Sequence, residues 1–259
     1  MGIKRDVILG DSKHLLADRA AKAKGSSPQP LLLGHRGLRS SPVASRLKLN
    51  KAPIPENSLA AFDFALAQGC DGVEFDVRTT ADGRLIVCHD ARLNRKAVAT
   101  CNYAELQPPE APPLCCLQDV LARFSTTAFL DIELKIPGLE KSVLQALRQH
   151  PPQRGYVVSS FLPDVVEALN SLDSQLPVGW ICDRKPQLDR WRRLPIAVLI
   201  SERHLASPAL IQEVHAAGKK IFVWTVNQER EMLRFARLGV DAIISDDPER
   251  LCRTLRPLP

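Results

Sequence analysis

The stretch GCDGVEFDVRTTADGRLIVCHD, residues 69–90, carries the pattern that decides the fold. Within it, GVEFDV (72–77) is a short apolar run interrupted only by Glu74 and Asp76. Apolar runs of this length are typical of strands buried on both faces, as in a parallel sheet covered by helices. Residues two apart on a strand project to the same face, so both carboxylates are expected to point in the same direction.

The rest of the chain alternates short apolar runs with amphipathic stretches. NSLAAFDFALAQG (57–69) is predicted to be a helix that begins after Pro55 and ends at Gly69. The other predicted strands are 31–35, 85–89, 128–135, 156–161, 178–182, 196–200, 220–226 and 242–245. The predicted helices between them are 138–150, 164–172, 209–218 and 230–239, the last two closed by Gly218 and Gly239 at the position that a helix C-terminus favours.

Repeated strand and helix units predict an α/β protein, and a single-domain (β/α)8 TIM barrel is favoured over a doubly wound open sheet. Residues 1–30 are interpreted as a short N-terminal extension and linker, and residues 31–255 as the barrel domain. Nine strands are predicted, whereas a (β/α)8 barrel has eight, so one strand must lie outside the barrel. The surplus strand is 85–89, because the seven residues RTTADGR leave no room for a crossover helix. It forms either a hairpin with a DG turn or an extended connection that returns His89 to the rim, and the chemistry below requires the second geometry.

Composition excludes several classes of protein. With 45% hydrophobic and 25% charged residues, the chain is expected to fold, and it has no apolar run long enough to be a membrane helix. The first thirty residues lack the features of a signal or transit peptide. Seven cysteines without a CxxC pair favour a reducing, cytoplasmic location. The 35 basic against 29 acidic residues give a net charge of +6 without a dense basic block, which suits an anionic small substrate as well as nucleic acid or a lipid surface, so charge alone does not decide the partner. The expected partner is a small-molecule substrate and not nucleic acid.

Active residues of a barrel lie at the C-terminal ends of its strands. The polar groups expected there are His35 and Arg36, Glu74 and Asp76, His89 and Asp90, Glu133 and Lys135, and Trp224 and Asn227. Two carboxylates pointing inward repel each other unless a cation or a basic group lies between them. Asp131 and Glu133 repeat the same spacing on another strand. Carboxylate oxygens without cysteine ligands favour a hard cation such as Mg²⁺ or Ca²⁺.

Taken in order, these motifs resemble the glycerophosphodiester phosphodiesterase family. The similarity is carried by GHRG (34–37), PENSLAAF (55–62), the stretch 69–90, DIELK (131–135), SSF (159–161), WTVN (224–227) and GVDAIISDDP (239–248). It implies a TIM barrel, a divalent metal, and cleavage of glycerophosphodiesters to glycerol 3-phosphate and an alcohol. It further implies an acid–base pair at His35 and His89, metal ligands at Glu74, Asp76 and Glu133, and phosphate-binding groups at Arg36 and Lys135.

General chemistry agrees with these implied roles. Arg36, Lys135 and a metal would neutralise the phosphate oxygens as charge builds in the transition state. One histidine would activate a nucleophile while the other protonates the departing alkoxide, and the residues do not assign the two roles. Glu56 is expected to bind a substrate hydroxyl or support the metal. Trp224 is expected to form an apolar wall for the glycerol carbons.

The chain departs from the family pattern in two places. The segment 38–54 is longer than the usual link, and the segment after His89 and Asp90 is shorter than the family's substrate cap. Two alternative functions therefore stay open: a lysophospholipase D with peripheral lipid contact, and a barrel that binds phosphoesters without catalysis. His14, His150, His204 and His215 are interpreted as structural or surface residues, Asp131 as supporting the site from outside the ligand set, and Cys115 and Cys116 as inert thiols. The residues do not indicate an oligomeric state.

Overall fold

The computed structural model of the protein describes residues 29–39, 48–49, 52–107 and 113–256. Its strands are β1 (Leu31–His35), β2 (Lys48–Leu49), β3 (Ala52–Pro53), β4 (Gly72–Thr79), β5 (Leu85–Val87), β6 (Arg92–Leu93), β7 (Lys96–Ala97), β8 (Phe129–Leu134), β9 (Tyr156–Ser160), β10 (Val178–Cys182), β11 (Val198–Glu202), β12 (Lys220–Trp224) and β13 (Ala242–Ser245). Its α-helices are α1 (Leu59–Ala67), α2 (Tyr103–Leu106), α3 (Leu117–Phe124), α4 (Glu140–Gln149), α5 (Pro163–Leu172), α6 (Lys185–Leu188), α7 (Pro208–Ala216), α8 (Glu229–Leu238) and α9 (Pro248–Leu255).

Eight parallel strands close into a barrel. In order around it they are β1, β4, β8, β9, β10, β11, β12 and β13. Closure comes from β1, which pairs with β4 on one side (Gly34 opposite Val73) and with β13 on the other (Gly34 opposite Ser245). A sheet with no free edge among these eight strands excludes the open, doubly wound alternative and confirms the (β/α)8 barrel.

The surplus strand is a hairpin. β5 runs antiparallel to β4, with Val77 opposite Val87 and Thr79 opposite Leu85, and Gly83 adopts a positive φ of 78° in the connecting turn. The prediction that the chemistry requires an extended return without a hairpin is therefore wrong. β4 continues beyond the barrel, so a hairpin built on this extension brings the chain back to the rim. The amide of Cys88, directly before His89, donates to the Asp76 carbonyl there at 2.9 Å.

The helices begin and end for local reasons. The Ser58 side chain accepts from the amide of Ala61 at 3.2 Å and so caps the start of α1. At the other end of the chain, α8 terminates at Gly239, which adopts the left-handed conformation with φ of 78°. The predicted helices at 57–69, 138–150, 164–172, 209–218 and 230–239 are all present with small shifts at their ends.

The core has two layers because side chains alternate along each strand. Val73, Phe75 and Val77 of β4 point outward and pack under the helices, whereas Glu74 and Asp76 point into the barrel. The inner layer is filled below the carboxylates by large apolar side chains: Leu33, Phe129, Val157, Ile181, Val198, Ile200, Phe222 and Ile244. This packed apolar layer lies directly below the polar groups at the rim and supports them.

Some sequence predictions concern residues outside the described ranges. Residues 1–28 of the N-terminal extension, most of the segment 38–54, and residues 108–112 belong to this group. Within the described ranges, no helix is both long and apolar enough to cross a membrane.

Candidate active site

The predicted site residues meet at the C-terminal rim of the barrel. His35 ends β1 directly opposite Glu74 of β4, and Asp76 of β4 lies opposite Glu133 of β8. Trp224 ends β12 on the same rim. The register of parallel strands therefore brings together side chains that are far apart in the sequence.

Three carboxylates form a compact cluster. Glu74, Asp76 and Glu133 are all buried, and one carboxylate oxygen from each lies within 4.8 Å of the others. Asp131 lies outside this cluster and accepts a hydrogen bond from the Ser159 hydroxyl at 2.7 Å. The cluster consists only of oxygen donors, which suits a hard divalent cation.

Two basic side chains contact the cluster. Lys135 Nζ lies 2.6 Å from Glu133 Oε1 and 3.3 Å from Asp76 Oδ1. Arg36 Nε lies 3.2 Å from Asp76 Oδ2, while its Nη1 donates to Glu56 Oε1 at 2.7 Å. These two basic groups lie among the carboxylates, as the sequence analysis required, and they neutralise part of the negative charge.

The negative charge that Lys135 and Arg36 do not neutralise affects the pKa values of the carboxyl groups. Burial, and then the neighbouring Asp76 and Glu133, raise the pKa of Glu74 well above its usual range. Burial, only partly offset by Lys135, raises the pKa of Glu133 to about 7. For Asp76 burial acts in the same direction, but Lys135, Arg36 and Asn57 outweigh it and hold the pKa below its usual value. Lys135 and Arg36 thus stabilise Asp76 as an anion, and the other two carboxylates need further positive charge to ionise fully.

His35 is held by a carboxylate that the sequence analysis did not single out. Its Nδ1 lies 2.6 Å from Asp246 Oδ1, and its Nε2 lies 3.8 Å from Glu74 Oε2. Asn227 fixes Asp246 in turn, with Nδ2 donating to Oδ2 at 2.7 Å and Oδ1 accepting from the Asp246 amide at 2.9 Å. The available signal was that Asp246 directly follows the predicted strand 242–245, where barrel sites are built.

His89 has a more open environment. Its Nδ1 lies 2.8 Å from Asp90 Oδ1, its carbonyl accepts from Arg78 Nε at 2.8 Å, and 37% of its side chain is exposed. Burial of the rest of the ring lowers its pKa, and the hydrogen bond with Asp90 opposes this shift. The lowered pKa favours the neutral imidazole, which can accept a proton.

Asn57 is a second residue whose role the sequence did not reveal. It was interpreted as a helix start, but α1 begins two residues later and Asn57 donates to Asp76 Oδ2 at 2.8 Å. Arg36 and Asn57 both adopt positive φ (52° and 55°), and the Asn57 amide donates to the Arg36 carbonyl at 3.0 Å. Positive φ is uncommon for residues other than glycine, so contacts within the site hold the backbone of both residues in this conformation.

An aromatic wall borders the site. The ring of Trp224 lies 6.4 Å from that of His35 and 5.7 Å, edge to face, from that of Phe161. Lys135 Nζ lies 5.8 Å from the centre of the Phe161 ring. The wall is apolar, whereas Glu56, whose side chain is 32% exposed and pairs with Arg36, is a polar group of the site.

The other histidines that the structure describes have different surroundings. His215 pairs with Asp241 at 2.9 Å, and His204 lies beside Arg203 and Glu202. His150 follows α4. His14 lies outside the described residues.

A closed barrel with these polar groups gathered on its C-terminal rim defines an enzyme of the (β/α)8 class. The model of the glycerophosphoryl diester phosphodiesterase family matches residues 35–250. The chain belongs to this family, which confirms the resemblance recognised in its motifs and identifies it as a phosphodiesterase.

Individual relatives agree with this assignment. The chain is 28% identical over 251 residues to a glycerophosphodiester phosphodiesterase of Caldanaerobacter subterraneus subsp. tengcongensis, a match that covers 87% of this chain and 98% of the relative. It is 23% identical over 252 residues to a lysophospholipase D of Mus musculus, covering 76% and 80%. An Oleispira antarctica phosphodiesterase, solved in complex with the product sn-glycerol-3-phosphate, has a TM-score of 0.72 and 25% identity, covering 87% of this chain and 96% of that one.

Proposed function

We propose that this enzyme hydrolyses glycerophosphodiesters to sn-glycerol 3-phosphate and an alcohol, using a divalent cation and two histidines. The observation that carries the proposal is the cluster of three buried carboxylates, Glu74, Asp76 and Glu133, immediately beside His35. The product bound to the Oleispira antarctica relative supports the choice of product. The catalytic domain would span residues 31–255, and the family match at 35–250 lies inside these bounds.

The carboxylate cluster fits a metal ion. Its donors are all oxygens, they lie close enough to share one ion, and two of the three have raised pKa values that additional positive charge would lower. We infer that Glu74, Asp76 and Glu133 hold Mg²⁺ or Ca²⁺. When bound, such an ion supplies Lewis acidity and neutralises negative charge on the phosphoryl group.

Two basic residues would bind the phosphate. The buried Arg36 Nε has no hydrogen-bond acceptor among the described residues, although it lies near Asp76. A buried donor without an acceptor is costly, and a phosphoryl oxygen would satisfy it. Lys135, directly after β8, supplies a second cation. Both charges are in place before the reaction, so they stabilise developing negative charge without rearrangement.

The histidines would move the protons. Asp246 accepts the Nδ1 proton of His35, which leaves Nε2 directed toward the carboxylate cluster. Asp90 holds His89 in the same way through Nδ1. One imidazole would take a proton from the nucleophile, and the other would give one to the departing alcohol oxygen. The geometry is compatible with either assignment, and with attack by water or by the neighbouring glycerol hydroxyl.

The glycerol moiety would lie between two different walls. Glu56 presents carboxylate oxygens that suit hydroxyl groups, and Arg36 orients it. Trp224 and Phe161 present ring faces and edges that suit the carbon atoms. This division into a polar and an apolar side suits a small polyol.

A second candidate is lysophospholipase D activity with peripheral lipid contact. Among the residues that the structure describes between Asp90 and α3, the chain forms the short hairpin β6–β7, a 3-10 turn at Val98–Thr100 and the single-turn helix α2, and the His89 side chain is partly exposed. The partial exposure of His89 favours a substrate with a larger substituent, and the Mus musculus relative carries that activity in its name.

The test measures release of glycerol 3-phosphate from glycerophosphocholine and, in parallel, release of choline from lysophosphatidylcholine, in Mg²⁺, in Ca²⁺ and in excess chelator. Wild type and the control His150→Ala should be active with metal and inactive with chelator. His35→Ala and Glu133→Gln should lose at least about 100-fold in turnover.

Each part of the proposal has its own contrary result. Activity that survives chelation would contradict the metal, and full activity of His35→Ala would contradict the histidine role. Turnover of lysophosphatidylcholine alone would favour the second candidate. Ligand binding without turnover, unchanged in His89→Ala, would indicate a binding barrel.

A further inference from the structure

Two cysteines meet at the end of the barrel opposite the site. Cys70 lies between α1 and β4, and Cys252 lies in α9. Their Sγ atoms are 3.6 Å apart although the residues are separated by 182 positions. Both are free thiols, 8% and 5% exposed, and neither contacts the groups of the active site described above.

The backbone around the two thiols is already joined by other contacts. Arg256, one turn beyond Cys252, donates from Nη1 to the Gly69 carbonyl at 2.9 Å and from Nη2 to the Asp71 carboxylate. These acceptors are the two residues that flank Cys70. The segments that carry the thiols are thus fixed side by side without any bond between the sulfurs.

The remaining distance is small. A disulfide needs about 2.05 Å between sulfurs, so the thiols must approach by about 1.5 Å, a distance within the reach of side-chain rotation. The hydrogen bond with Cys70 lowers the pKa of Cys252; burial and Asp71 oppose this shift, and the Arg256 charge reinforces it. Cys252 is therefore the better nucleophile of the pair.

We propose that Cys70 and Cys252 form a reversible disulfide with low-molecular-weight disulfides as the oxidant. The Cys252 thiolate attacks one sulfur of the reagent, forms a mixed disulfide and releases one thiolate. Cys70, after losing its proton to solvent, attacks the Cys252 sulfur and releases the second thiolate. Two protein thiols and one reagent disulfide become one protein disulfide and two reagent thiols.

The bond would tie the helix α9 to the start of β4. It would close a loop of 182 positions, and long loops gain most from closure in the chain-entropy description. Because the pair lies at the N-terminal end of the barrel, it would act on stability and leave the rim unchanged. The nearly complete burial of the thiols means that the reagent enters when α9 opens locally.

The experiment exposes the full-length protein to increasing ratios of oxidised to reduced glutathione, then blocks free thiols with N-ethylmaleimide under denaturing conditions. Wild type should lose two of its seven maleimide adducts. Tryptic digestion should yield peptide 52–78 joined to peptide 251–253, which contain Cys70 and Cys252. The melting temperature should rise by about 5–10 °C in the oxidised form.

Variants separate this pair from the other thiols. Cys101→Ser, the matched control, should behave as wild type, whereas Cys70→Ser and Cys252→Ser should give no linked peptide and no rise in melting temperature. Peptide mapping of wild type needs no variant, so the result does not depend on how well the variants fold. Seven adducts retained at every ratio, or a linkage between other cysteines, would overturn the proposal.

Discussion

The contact between His35 and Asp246 allows a quantitative prediction for Asp246→Asn. Asn227 Oδ1 accepts from the Asp246 amide and from the Ser245 hydroxyl, so its Nδ2 must point at the side chain of residue 246. The new asparagine would turn its oxygen toward this donor and its NH₂ group toward His35. Nδ1 of His35 would then have to accept a hydrogen bond, which imposes the opposite tautomer and removes support for the imidazolium.

The expected loss follows from the interaction that disappears. A hydrogen bond to a charged group contributes about 1.5–3 kcal/mol. Each 1.36 kcal/mol is a factor of ten in rate, so kcat/KM should fall about 10- to 150-fold. The loss should appear in kcat, because the interaction strengthens as His35 gains positive charge during the reaction.

The assay is glycerol 3-phosphate release from glycerophosphocholine, coupled to a dehydrogenase that consumes it. Asp247→Asn is the matched control: this neighbouring carboxylate caps α9 by accepting from the Arg250 amide at 2.9 Å, a role that asparagine also fills. The control should keep wild-type turnover. Turnover of Asp246→Asn within a factor of about three of wild type would refute the orienting role of the carboxylate.

Two further predictions concern a contact at the rim and one in the core. Arg78→Ala removes the hydrogen bond to the His89 carbonyl, so kcat in steady-state kinetics should fall about tenfold while KM changes little. Arg78→Lys should recover part of this loss. An unchanged kcat in Arg78→Ala would show that His89 does not need this hydrogen bond. Phe62→Ala leaves a cavity at a fully buried position between Phe75 and Phe124, so the free energy of unfolding in urea should fall by about 3–5 kcal/mol. Leu233 is exposed, and Leu233→Ala should lower it by about 0.5 kcal/mol or less. Equal effects of the two substitutions would contradict the assignment of Phe62 to the core.

The sequence by itself determined the elements and their order. The spacing of apolar residues and the conformation of a helix end are local properties, so the apolar runs and Gly239 could be interpreted without the fold. Alternation along a strand was sufficient to place Glu74 and Asp76 on one face, and the order of motifs was sufficient to identify the family. The exceptions are the helices α3 and α9, which were not predicted, and the hairpin geometry of the strand at 85–89, because the sequence does not reveal how far β4 continues beyond the barrel.

Tertiary structure alone decided which distant residues touch. Asp246 supports His35 across 211 positions because closure of the barrel sets the end of β13 beside β1. Cys70 meets Cys252 because α9 packs back against the start of the barrel. The pattern of residue types along the chain does not reveal such pairs. Closure of the barrel depends on all eight strands together, and nothing in the sequence around either partner indicates the other.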